Sequence, residues 1–188
     1  MTLNFRATVF AASTLILPLV AQAAPFQNGD FESPGVGSFA DITTAANAPT
    51  GWTPSGTLGS AALFYENGAF QVTCNTGPNC VGFGGNGTTG ATLSQTFDTV
   101  PGQTYTVNYF VTAQQGNGPQ SALVEAFFNG VFLNNSFVTI PGFNAAIENF
   151  HWFAGPTLTF FALGPSITLR FTDTSNGAAA AGDRKSVV

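Results

Sequence analysis

The sequence predicts an all-β fold, a two-sheet antiparallel β-sandwich of the jelly-roll kind, and three observations carry that expectation. Period-two alternation bounded by Gly, Pro and Asn recurs from residue 24 onward, and helical periodicity is hard to find there. Twenty Phe supply the apolar area for a core, at about 25 cal/mol per Å² buried. No blade-length repeat is visible, so about ten short strands fit a sandwich better than a propeller or a closed barrel.

The elements follow in order. Residues 1–23 divide as a secretory signal does: Arg6 in a short n-region, an apolar run from Ala7 to Val20, and Ala21-Gln22-Ala23 as a small-residue cleavage pattern. Cleavage there leaves residues 24–188 as one β-sandwich domain, with no transmembrane segment after it. The first strand candidate is Phe26 to Glu32. Ser33 to Gly59 is poor in strand pattern and reads as a long loop. Ala61 to Tyr65, Phe70 to Thr73 and Ala91 to Thr99 come next. From Tyr105 to Thr112 the alternation is clean apart from Phe110. Ala122 to Phe128 and Val131 to Thr139 flank Asn129-Gly130, a two-residue turn that demands positive φ and so predicts a hairpin. Asn149 to Phe153, Thr157 to Leu163 and Ile167 to Thr172 complete the set, punctuated by Pro101-Gly102, Pro141-Gly142 and Gly164-Pro165.

Composition limits the partners. Only 7% of residues are charged; without Arg6 three basic residues stand against nine acidic ones, a net of −6. Nucleic acid is thereby excluded, because phosphate binding needs clustered Lys or Arg and two of the three basic residues, Arg184 and Lys185, sit at the extreme C-terminus. Cys74 and Cys80 bracket the turn-rich Asn75-Thr76-Gly77-Pro78-Asn79, and the secretory signal implies an oxidising compartment, so they read as a disulfide. The alternative, a metal pair, lacks a second Cys or His cluster to complete a zinc set.

Catalytic chemistry is thinly represented. His151 is the sole histidine and no Gly-x-Ser-x-Gly occurs. Glu66, Glu125, Glu148 and Asp173 are available carboxylates, but no pair has the spacing that a glycosidase would announce. Gly82-Phe83-Gly84-Gly85-Asn86-Gly87 has no following Lys or helix and reads as a flexible connection rather than a phosphate loop. The chain is therefore read as a non-enzyme. Asn28-Gly29-Asp30-Phe31-Glu32 joins hard oxygen donors at the start of the mature chain and suggests a structural cation site. Trp52 and Tyr65 are candidate sugar platforms, since a ring face accepts the CH groups of a pyranose, and Glu66, Asn67 and Gln95 are the amides and carboxylate that would meet its hydroxyls. Trp152 is a third candidate platform, although its place among Phe150 and Phe153 reads more readily as core.

Asn28-Gly29-Asp30-Phe31-Glu32-Ser33-Pro34, Gly51-Trp52, Leu93-Ser94-Gln95-Thr96-Phe97 and Val100-Pro101-Gly102-Gln103-Thr104-Tyr105-Thr106-Val107 together resemble the galactose-binding-domain-like jelly rolls. That group includes β-sandwich carbohydrate-binding modules and exported bacterial proteins of the PEP-CTERM type, whose sorting tail this chain lacks. Asp183-Arg184-Lys185-Ser186-Val187-Val188 is similar to the family's closing strand, with Lys185 departing at an apolar position. The resemblance implies a structural Ca²⁺ held where the N-terminal acidic strand meets the closing Asp, that is Glu32 and Asp183 with Asp30 and Asn28. The expected function is a secreted or envelope-located, non-catalytic module whose partner is a polysaccharide or cell-surface glycan. The alternative is a structural or matrix protein of the bacterial cell envelope with no small ligand. Exposure separates the two: a binding module places Trp52 or Tyr65 at the surface, whereas a matrix protein buries them and exposes an apolar patch or open sheet edge.

Overall fold

A computed structural model describes residues 24–59, 62–68, 73–113, 119–141, 152–174 and 183–187. Its strands are β1 (Phe39–Asp41), β2 (Thr53–Gly56), β3 (Leu63–Asn67), β4 (Asn79–Phe83), β5 (Ala91–Asp98), β6 (Thr104–Val107), β7 (Tyr109–Ala113), β8 (Gln120–Phe128), β9 (Val131–Ile140), β10 (Phe153–Ala154), β11 (Leu158–Phe161), β12 (Ser166–Asp173) and β13 (Asp183–Val187). One sheet has the order β2-β5-β12-β8-β9 and the other β1-β3-β4-β13-β7-β10, with every pairing between these strands antiparallel. A further pair, β6 with β11, continues the β7–β10 ribbon beyond a break at Asn108. There Thr157 donates its hydroxyl to Asn108 Oδ1 at 3.0 Å, and Gly155 lies against the Tyr109 ring, where a Cβ would meet Cε2 at 2.2 Å.

Alternation places the core. Ile167, Leu169 and Phe171 of β12 point inward beside Leu93 and Phe97 of β5 and Val124 of β8, and all are buried. They face Tyr65, Phe83, Tyr109 and Val111 of the other sheet in one continuous cluster. The Tyr109 hydroxyl lies 2.8 Å from Ser136 Oγ, which itself donates to the Pro156 carbonyl, so the two sheets are tied at the β9 side.

Several expectations hold and several are corrected. β5, β8, β9 and β12 occupy the predicted alternating runs, and Asn129 and Gly130 both have positive φ (48° and 78°), as the hairpin turn requires. Phe26 to Glu32 is not a strand. Asn28 folds its side chain back onto Ser33 and Thr50 and takes φ 51°, while Phe31 takes φ 62°; local amide bonding displaces the ladder. The long loop predicted for Ser33 to Gly59 contains β1 and β2. The glycine-rich connection after Cys80 begins inside a strand: β4 lies between β3 and β13, and Gly82 is required there because a Cβ would meet Phe64 Cζ at 2.1 Å. Phe70 to Thr73 falls mostly outside the described residues, as do 1–23, Glu148 and His151.

Candidate functional site

The N-terminal acidic segment folds as a locked loop. Asn28 Nδ2 donates to the carbonyls of Ser33 (2.7 Å) and Thr50 (3.1 Å), and its Oδ1 accepts from the Ser33 amide at 2.9 Å. The Asp30 carboxylate accepts a long bond from the Glu32 amide, 3.4 Å. Glu32 reaches into the loop between the cysteines, where its carboxylate accepts from the Asn79 backbone amide at 3.1 Å and from Asn79 Nδ2 at 2.8 Å. Asn79 Oδ1 in turn accepts from the Val36 amide at 3.0 Å. Cys74 and Cys80 form the disulfide that closes this loop. Asp183 stands elsewhere: its register partner is Phe83, at the other end of β4 from Asn79, roughly 13 Å along the strand. Asn28, Asp30 and Glu32 thus share one loop, and the backbone does not bring Asp183 to it. Among the described residues no three His, Cys, Asp or Glu side chains are grouped as a metal ion needs.

The expected sugar platforms are core residues. Trp52 is 2% exposed and Tyr65 1%. The Trp52 ring packs against Phe26, Phe31 and Phe171, and its Nε1 donates to the Asn28 carbonyl at 3.0 Å. Tyr65 donates its hydroxyl to the Phe31 carbonyl and accepts from the Gly35 amide at 3.3 Å. Burial pushes its pKa up to about 12; the Gly35 hydrogen bond opposes that rise, and the charges of Glu32 and Asp30 add to it. Glu66 is buried beside the disulfide, and Asn67 spends its Nδ2 on the Val36 carbonyl at 3.0 Å. Gln95 is also committed, since its buried amide accepts from the Gln27 backbone amide and donates to the Gln27 carbonyl, both at 2.9 Å. Rings that face the core present nothing to a ligand, so the site cannot be built on these residues.

Among the exposed rings, Phe132 and Phe137 lie together on the outer face of the five-stranded sheet, at its β9 edge. On β8, Ala122, Val124 and Ala126 point inward, so Leu123, Glu125 and Phe127 point outward. Their partners on β9 are Phe137, Asn135 and Phe132. Phe132 and Phe137 differ by an odd number of residues and would lie on opposite faces of a regular strand. A bulge at Leu133, opposite the Ala126–Phe127 step, shifts the alternation and puts both rings outside. Phe132 is 51% exposed and Phe137 54%. Between them the exposed Asn135 side-chain amide makes no hydrogen bond within the described residues. Behind it Arg170 donates to Glu125 Oε2 through Nη2 at 2.7 Å and Nε at 3.0 Å, with its guanidinium 4.5 Å from the Phe127 ring centroid.

Solved structures similar to the chain share its architecture. A family 61 carbohydrate-binding module in complex with β-1,4-galactotriose has a TM-score of 0.52 at 16% identity, over 87% of this chain and 93% of that one. The K2 cleaved adhesin domain of Lys-gingipain has a TM-score of 0.53 at 17% identity, over 84% and 93%. The enzymatically active domain of a bacteriophage tailspike has 0.51 at 14%, over 88% of this chain but 21% of its own length. The fold is a jelly-roll β-sandwich. No family model matches the sequence, and no curated protein matches it. The exported sorting-tail proteins of the sequence resemblance find no support among these comparisons. A sugar-binding module, an adhesin domain and a tailspike on one scaffold leave function to the site.

Candidate rings drawn from Trp and Tyr alone leave out the Phe132–Asn135–Phe137 row. Its signal was present: a ten-residue, uncharged strand whose amides interrupt its apolar residues.

Proposed function

We propose that the protein is a secreted, non-catalytic module that binds carbohydrate or another extracellular polymer on the outer face of its five-stranded sheet. One observation carries the reading: two exposed rings flank a free amide and stand beside an ion pair, an arrangement that offers ring faces to CH groups and donors and acceptors to hydroxyls. Phe132 and Phe137 are roughly 15 Å apart along β9, so the face suits an extended chain better than a single small molecule. Glu125 is held in an ion pair by Arg170 at 2.7 Å, which fixes both side chains beneath the Asn135 amide. The jelly-roll likeness is consistent with this reading. Polysaccharide pull-down and a glycan array test it, comparing the native chain with Asn135→Ala and Phe137→Ala: retention of the native chain with loss in both variants supports the site, and no retention on any glycan overturns it.

A second reading has its own observation. Val131, Phe132 and Phe137 are exposed apolar residues on a long edge strand without charge, and Trp52 and Tyr65 are buried, the combination expected of a matrix protein. Concentration-dependent assembly abolished by Phe137→Ala, in a chain that retains no glycan, would favour this reading. The structural calcium belongs to both readings as a proposal, resting on Asn28, Asp30 and Glu32.

A further inference from the structure

A second concavity lies away from the β9 face. Residues 24–27 run beside the far half of β5, where Ala24 bridges Phe97 and its carbonyl accepts from the Asp98 amide at 2.9 Å. Gln95 grips both backbone polar groups of Gln27. Phe26 is therefore fixed on both sides, 42% exposed, with its ring edge-on to Phe97 at 5.1 Å. Beneath it opens a cavity of about 310 Å³. Its floor is Phe97, Phe160 and Leu169, all buried, and Tyr105 and Val107 line it from β6, with Tyr105 stacked on Phe160 at 5.7 Å. Thr106 and Asn108 line it too and are exposed, which puts its hydrogen-bonding groups at the mouth. Asn108 Oδ1 is occupied by the Thr157 hydroxyl, and its Nδ2 makes no hydrogen bond within the described residues. Asp98 is the single charged residue of the lining.

We propose that this cavity is a binding site for one uncharged aromatic ring bearing a hydroxyl, a phenolic group, with Phe26 as the wall that completes it. A cavity with this largely apolar lining takes an apolar occupant readily, and aromatic linings favour edge and offset contacts with a ring. A free sugar would bury several hydroxyls against hydrocarbon without partners. An anion would meet Asp98 in a chain that is already acidic, with no cation in the lining. The site is independent of the β9 face, so it stands or falls separately from polymer binding.

The test is titration of the mature chain with 4-methylphenol, followed by amide chemical shifts, with benzoate and glucose as parallel probes. Saturable shifts confined to residues around Val107, Asn108 and Asp98, with Asn135 unmoved and benzoate weaker by roughly tenfold, are expected. Phe26→Ala should weaken 4-methylphenol roughly fivefold. Gly29→Ala provides a second variant that keeps the ring: its Cβ would meet Phe26 Cε1 at 2.8 Å and so displace the wall. Shifts scattered over the surface, equal affinity for benzoate, or unchanged affinity in both folded variants would overturn the site. Phe137→Ala should leave the titration unchanged.

Discussion

The acidic N-terminal loop and the β9 edge differ in what their polar atoms are doing. In the loop, Asn28 bonds three backbone groups, Glu32 accepts two bonds from Asn79, and Tyr65 and Trp52 spend their hydroxyl and indole hydrogen on carbonyls of the loop itself. On β9, Asn135 keeps its side-chain amide unspent and two rings face water. The segment that looks richest in chemistry has consumed that chemistry in folding. The plainer one has it to offer, because Asn135 points away from the core and no described residue meets its side-chain amide.

The largest effect that sharpens this contrast is Trp52→Ala. Removing a buried ring that packs on Phe26, Phe31 and Phe171 and anchors the Asn28 carbonyl should cost about 3–5 kcal/mol, read by chemical denaturation. Full stability with lost glycan retention would return Trp52 to the surface role and break the comparison. Tyr65→Phe follows at about 1–3 kcal/mol, since the buried Phe31 carbonyl loses its donor and the Gly35 amide its acceptor. This residue also fixes an alkaline limb. Its folded pKa of about 12 lies above the unfolded value of 10.0, so its contribution is complete below pH 10 and is lost as pH rises toward 12. Tyr109 is shifted upward by burial in the same direction, so Tyr65→Phe should make the loss above pH 10 shallower without abolishing it.

Glu32→Gln should have a smaller effect, about 1 kcal/mol, because one carboxylate oxygen facing an Asn79 donor becomes an NH₂ and the carboxylate is only partly shielded from water. The same loop decides the cation question. If Asn28, Asp30 and Glu32 hold calcium as proposed, the ion should raise Tm and a chelator should reverse the rise; a Tm unmoved by either would count against the site and leave these side chains to their hydrogen bonds alone.

The legibility of these regions has physical causes. Strands with one face buried print their alternation in the sequence, which is why Ile167, Leu169 and Phe171 are readable, and a turn needing two positive φ values prints Asn129-Gly130. β4 is hidden because both its faces are covered and one demands Gly82, a residue that otherwise signals a break. The Cys74–Cys80 pair was legible from its short spacing. Whether an aromatic ring faces core or water is set by register and by partners distant in sequence, so Trp52 and Tyr65 could not be told from platforms. The bulge at Leu133 has no local signature, yet it alone brings Phe132 to the face of Phe137.

The smallest expected change in stability accompanies the largest expected change in binding. Phe137 is 54% exposed, so Phe137→Ala should shift stability by no more than about 0.5 kcal/mol, while retention on polysaccharide falls strongly. Asn135→Ala should act likewise, because it removes an amide that holds nothing in the fold. Phe132→Ala is the sharper test: it removes the ring that the bulge at Leu133 brings outside while leaving Asn135 and Phe137 in place. If that variant folds and still binds as well as the native chain, Phe132 plays no part and the face shrinks to one ring and one amide. If binding falls while Phe137 stays exposed, the two rings act together, and the bulge is what makes the face.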